Sequence, residues 1–219
     1  GSMVKPKSTS IGNRKLPWVI ASSVVRASNM GESHGGLYLI NLNSGETNKV
    51  IDWNTSKIDF RGRGAERGLR GIAFYNDKIY VTCNDAVLVY NQEFKLLREL
   101  KNQYLLDCHE THVSGKFLYV TSTGFDSVLV MDMETCIFQK GYCFRNEFSR
   151  VVRKLFWKIL GIKISPSLKL IEFDPLKSGG PERKDMIHIN NIWVQGDQIL
   201  FSCYNANHLY CSDGKKCGS

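Results

Sequence analysis

"RGLRGIAFYNDKIYVTCNDAVLVYNQEFKLLREL", residues 67–100, opens on a short apolar stretch and turns at Asn76-Asp77. The β-branched and aromatic run "KIYVTC" follows, then a polar loop, the run "AVLVY" and an amphipathic close. Two polar residues between such runs are a hairpin signal. The pattern predicts four short antiparallel strands joined by tight turns.

Two later stretches read alike. "CHETHVSGKFLYVTSTGFDSVLVMDMETCIFQKGY", residues 108–142, turns at Ser114-Gly115 into "FLYVTST" and continues to "SVLVMD". "MIHINNIWVQGDQILFSCYNANHLYCSDG", residues 186–214, turns at Gln195-Gly196-Asp197 into "QILFSCY" and ends on "HLYCSD". Upstream, "WVIASSVV", "GGLYLINL" and "TNKVIDW" fit the second, third and fourth strands of the same unit. A unit of about 40 residues with four strands, repeated, predicts an all-β fold, a β-propeller of about four blades. The first blade lacks its leading strand and the last is expected to stop after its third. That leaves open sheet edges, which favour self-association through strand pairing or a longer native protein.

One segment breaks the repeat. In "RNEFSRVVRKLFWKILGIKI", residues 145–164, Phe148, Val152, Leu155, Phe156, Ile159 and Leu160 recur at helical spacing. Arg150, Arg153, Lys154 and Lys158 make this helix cationic. A loop-rich stretch punctuated by Pro and Gly follows, so residues 145–185 are expected to be a helical and loop insertion in blades that span 16–219. Two outcomes are expected for the helix: docking on the blades as a lid or brace that hides Leu155, Phe156 and Ile159, or contact with a membrane surface. Residues 1–15, opening on the cloning-scar sequence Gly1-Ser2-Met3, are expected to be a tag and flexible leader.

Charge narrows the partners. A net charge of +8 at pH 7 favours anionic partners: phosphate, sulfate, nucleic acid or acidic lipid. No apolar run reaches the roughly 20 residues of a membrane-spanning helix. Seven cysteines with no C-x-x-C pair suggest a reducing compartment, so a cytoplasmic location is expected; a signal peptide already removed is the other reading. There is no Walker loop, nucleophile elbow, dinucleotide fingerprint or RNA-binding aromatic signature, and nucleic acid is not an expected partner.

In a propeller the leading strands line a central channel, and their first residues converge at one mouth. Aligning the repeats on their turns places Arg70, His109 and Asn190 at near-equivalent positions, with His112 and His188 close by. His109 and His188 are the candidate catalytic residues, because imidazole can act as base, nucleophile or ligand. Arg70, Glu110, His112 and Asn190 are the candidate ligand-binding residues. Each also has a plainer reading as a loop residue bonded to backbone. A divalent metal on His109, His188 and Glu110 is an alternative to having no cofactor; the spacing in His109-Glu110-x-His112 is not that of a helical zinc site. "RGRGAERGLRG", from Arg61, is a candidate anion-binding loop.

The blades resemble the broad six-bladed superfamily of gluconolactonase-like, NHL-type and arylsulfotransferase-type propellers. The closest local likeness is "DMIHINNIWVQGDQILFSCYNANHLYCSD", from Asp185, which looks like an arylsulfotransferase-type blade in which Asp, His and Asn precede a short turn. That resemblance implies sulfuryl transfer by histidines at the channel mouth; His188 carries it over directly and His109 or His112 more loosely. Two functions stay open from the sequence: a small anionic or polar ligand handled by a His-dependent transferase, hydrolase or lyase, and a non-catalytic propeller that binds a protein or glycan.

Overall fold

Asn76 and Asp77 take φ of +44° and +58°, the paired left-handed conformation of a tight hairpin turn, so β4 (Ile72–Tyr75) folds straight back on β5 (Lys78–Thr82). This hairpin extends through β6 (Ala86–Tyr90) to β7 (Leu96–Lys101), giving a four-stranded antiparallel sheet in simple chain order. The computed structural model describes residues 17–25, 28–29, 31–54, 68–146, 155, 157–161, 168–196, 198–204, 206–210 and 216–218.

The unit recurs. Blade 1 is β1 (Trp18–Ser22), β2 (Gly36–Asn41) and β3 (Thr47–Asp52), three strands as expected. Blade 3 runs from β8 (Cys108–Ser114) through β9 (Phe117–Ser122) and β10 (Ser127–Asp132) to β11 (Ile137–Asn146) and ends on β12 (Leu168–Phe173). Blade 4 is β13 (Ile189–Gln195), β14 (Gln198–Cys203), β15 (Ala206–Tyr210) and β16 (Lys216–Gly218). The third strand ends on the same device in three blades. Asn41, Asn91 and Asp132 each accept, through Oδ1, two backbone N–H groups of the turn that follows, at 2.8–3.2 Å.

Alternation along the strands builds the cores between blades. In β5, Ile79 and Val81 face blade 1 and pack with Leu37 and Leu88, while Tyr80 faces blade 3 with Leu118 and Met131. In blade 3, Leu118 and Val120 face blade 2, and Tyr119 with Val128 joins Ile189, Ile192 and Phe201 of blade 4. Both faces of each middle sheet are thus buried, and the period of two directs successive residues to opposite neighbours. Each fully buried Leu, Val or Phe contributes about 1.5–3 kcal/mol. Hydroxyls stitch the blades together: Ser22 Oγ donates to the Arg70 carbonyl (2.5 Å), Thr82 Oγ1 to that of His109 (3.3 Å) and Thr123 Oγ1 to that of Ile189 (2.8 Å). Sheets packed face to face, joined where their leading strands meet, make this a β-propeller.

Three expectations are corrected. The 145–185 stretch is not wholly helix and loop: Arg145 and Asn146 still belong to β11, and Leu168–Phe173 returns as a fifth strand on the outside of blade 3. Its Leu168 and Leu170 pack toward blade 4, which the flanking Pro and Gly had concealed. Blade 4 has a fourth strand, β16, where three were expected. Lastly, residues 155 and 157–160 are helical, but Leu155 and Ile159 are exposed rather than tucked under the blades as a brace would place them. Phe148, Val152 and Phe156 of that stripe lie outside the described residues, as does the Gly- and Arg-rich stretch before Gly68.

Candidate functional site

Arg70, His109 and His188 stand at the starts of three leading strands. Arg70 precedes β4, His109 is the second residue of β8, and His188 directly precedes β13. The structure brings their side chains together. Arg70 Nη1 lies 3.2 Å from His109 Nδ1, and the His109 and His188 rings meet edge to face with centroids 5.4 Å apart. Guanidinium only donates, so His109 Nδ1 accepts and the proton of the neutral ring sits on Nε2. His188 has the opposite arrangement. Its Nδ1 donates to the Asp185 carboxylate at 2.9 Å, which leaves Nε2 as the basic nitrogen. Tyr204, largely exposed, also meets His188 edge to face, with ring centroids 5.8 Å apart.

Backbone detail sets these positions. β8 carries a bulge between Cys108 and Thr111, and the N–H groups of His109 and Glu110 both point to Thr121 Oγ1, at 3.3 and 2.9 Å. Across the blade junction, Gly71 N–H donates to the His109 carbonyl (2.9 Å). Gly71 must lack a side chain, because a Cβ there would stand 2.7 Å from the Thr111 nitrogen and press on Glu110. This close approach is what lets Arg70 reach the next blade.

His188 depends on a buried carboxylate. Asp126 is fully buried at the end of the 3-10 turn Thr123–Phe125. Its oxygens accept the N–H groups of Met186, Ile187 and His188 at 2.9–3.1 Å and an ion pair from Arg145 at 3.1 Å. Burial pushes this carboxyl up, while the three N–H groups and Arg145 pull against it. The grip holds His188 in the left-handed region at φ +57°, costly for a non-glycine residue and sustained here by its neighbours.

Glu110 follows His109 on the same bulge. Loss of solvation pushes its carboxyl up, with the Arg70 guanidinium opposing. The side chain nevertheless remains open to solvent. Asn190 sits at the equivalent bulge of β13, half-buried, with no side-chain hydrogen bond among the described residues. His112 is set apart from the group. Its ring packs on Trp193 of β13, centroids 4.4 Å apart. Desolvation lowers its pKa from 6.5. The lowered value means that the stability gained from neutral His112 is present above pH 6.5 and is lost as pH falls through the folded value. We expect the His112 NMR signal to titrate below 6.5, and Trp193→Ala to move its midpoint back up.

Among the described residues, no three His, Cys, Asp or Glu side chains group as a metal site would. A separate cavity of about 370 Å³ lies beside β11 and β12, lined by residues that include Cys143, Arg145, Phe173, Gly180 and Lys184; none of the candidate site residues borders it. His34 is fully buried in blade 1, with Nδ1 2.6 Å from Ser28 Oγ. Sequence reading missed Asp126, Tyr204 and Thr121, which carry no motif. Asp185 stands in the "DMIH" string that carried the family likeness.

No known family model matches the chain, and no curated protein matches it. Among solved structures it is similar to the WD40 domain of Pan2 from Neurospora crassa, with 11% identity and a TM-score of 0.41, over 83% of this chain and 58% of that one. A nidogen/laminin complex gives 13% identity and a TM-score of 0.40, over 84% and 70%. The computationally designed Ika8 protein gives 11% and 0.39, over 85% and 52%. The chain thus spans little more than half the length of the first and third of these.

Proposed function

We propose that the start of the leading strands binds a small anionic or polar ligand, and that His109 and His188 act on it. One observation carries this reading: a guanidinium and two imidazoles, supplied by three separate blades, are joined through His109, which meets both Arg70 and His188. Blade packing alone does not need such a cluster, and bringing cationic and titratable groups together suits an oxyanion. Arg70 supplies the fixed charge. His109, held with its proton on Nε2, is the hydrogen-bond donor to the ligand. His188, aligned by Asp185 as a catalytic base is aligned by a carboxylate, is the base. Glu110, pushed up by desolvation, would meet a ligand hydroxyl or donate in its neutral form. This division of labour fits a transferase, hydrolase or lyase.

A non-catalytic site for a glycan or protein is the second reading, and the exposed rings of Trp193 (59%) and Tyr204 (75%) favour it. Calorimetry separates the two. We expect inorganic sulfate, phosphate or a small hydroxycarboxylate to bind and a neutral oligosaccharide not to. Oligosaccharide binding that survives Arg70→Ala and is lost in Trp193→Ala would overturn the first reading in favour of the second.

A further inference from the structure

The short helix between β11 and β12 presents apolar side chains to solvent. Leu155 is 51% exposed, Trp157 64%, Ile159 67% and Leu160 58%, and none belongs to a packed cluster among the described residues. Four large apolar residues within six positions, one of them Trp, form a patch that a soluble surface rarely carries without a partner. Charge narrows what that partner is. In residues 148–164 the sequence has five basic residues, Arg150, Arg153, Lys154, Lys158 and Lys163, and no acidic one. An apolar patch flanked only by cations matches the interface of an anionic bilayer: aliphatic and Trp side chains enter the headgroup boundary, and Lys and Arg meet the lipid phosphates and carboxylates. A docking surface for a second copy of this chain, whose own net charge is +8, would bring like charges together. No described helix is long and apolar enough to cross a membrane, so the contact is with the surface.

We infer that this segment holds the propeller against an anionic lipid surface, with Trp157, Ile159 and Leu160 in the interface and Lys158 among the headgroups. The binding site at the leading strands lies on other elements, so this inference stands or falls separately from it. The full chain is sedimented with vesicles of phosphatidylcholine alone and with vesicles containing about a third phosphatidylserine. Binding is expected only to the anionic vesicles. It should weaken at least about tenfold when salt rises from low levels to about 0.5 M, where screening shortens charge interactions to a few ångströms. The Trp157→Ser/Ile159→Ser double variant should lose at least about tenfold, and Lys158→Glu a smaller part, both with unchanged thermal unfolding because these side chains are exposed. No sedimentation with anionic vesicles at low salt overturns the inference, as does binding that the double variant leaves unchanged. Concentration-dependent self-association without vesicles, abolished by the same double variant, would assign the patch to a second copy instead and equally overturn it.

Discussion

Asp126→Ala is expected to destabilise the chain by about 3–5 kcal/mol, the usual cost of removing one partner of a buried ion pair. The substitution strands three backbone N–H groups, of Met186, Ile187 and His188, together with Arg145, and all four now converge on a fully buried carboxylate. Chemical denaturation measures the loss. Asp126→Asn should cost less, because its amide oxygen keeps the acceptor shared by Ile187 and His188 while its NH2 faces the Met186 N–H and Arg145. A loss below about 1 kcal/mol in the alanine variant would mean that blade 4 is held by its apolar core alone. Even where the variant stays folded, relaxation of the left-handed backbone at His188 should separate the two imidazoles.

Arg70→Ala is expected to weaken binding of sulfate or phosphate by about 10- to 100-fold, in line with about 1.5–3 kcal/mol for a hydrogen bond to a charged group. Arg70→Lys should recover only part of this, since an ammonium supplies charge without the planar fork that could hold an anion while meeting His109 Nδ1. The same change should shift Glu110, whose carboxyl is pushed up by desolvation and pulled down by Arg70. With the guanidinium gone, the carboxyl should titrate at still higher pH. Calorimetry reads the first effect and carboxyl NMR the second.

The blades were legible because their signals are local. Asn76-Asp77 is a turn by its own backbone preference, and "KIYVTC" and "AVLVY" are strands by alternation and β-branching. Leu168–Phe173 was hidden because its strand character depends on pairing with β11, and the Pro and Gly around it signal loop. Lys216–Gly218 is too short, and too poor in β-formers, to be read alone. Within the site, aligning the turns was enough to anticipate that Arg70, His109 and His188 lie near one another, since strand starts in successive blades are neighbours. His112 shows the limit of that reasoning. It is three residues from His109, yet its ring packs on Trp193 while the ring of His109 meets His188. Asp126 is legible only in three dimensions, because a carboxylate that binds backbone 60 residues away leaves no spacing to read.

The most direct test of a shared site is the imidazole NMR spectrum during titration with sulfate or phosphate. Signals of His109 and His188 should move together with one dissociation constant and stop moving in Arg70→Ala, while His112, packed on Trp193, stays still. Independent movement of the two histidines, or movement of His112 alone, would contradict a single site built from three blades.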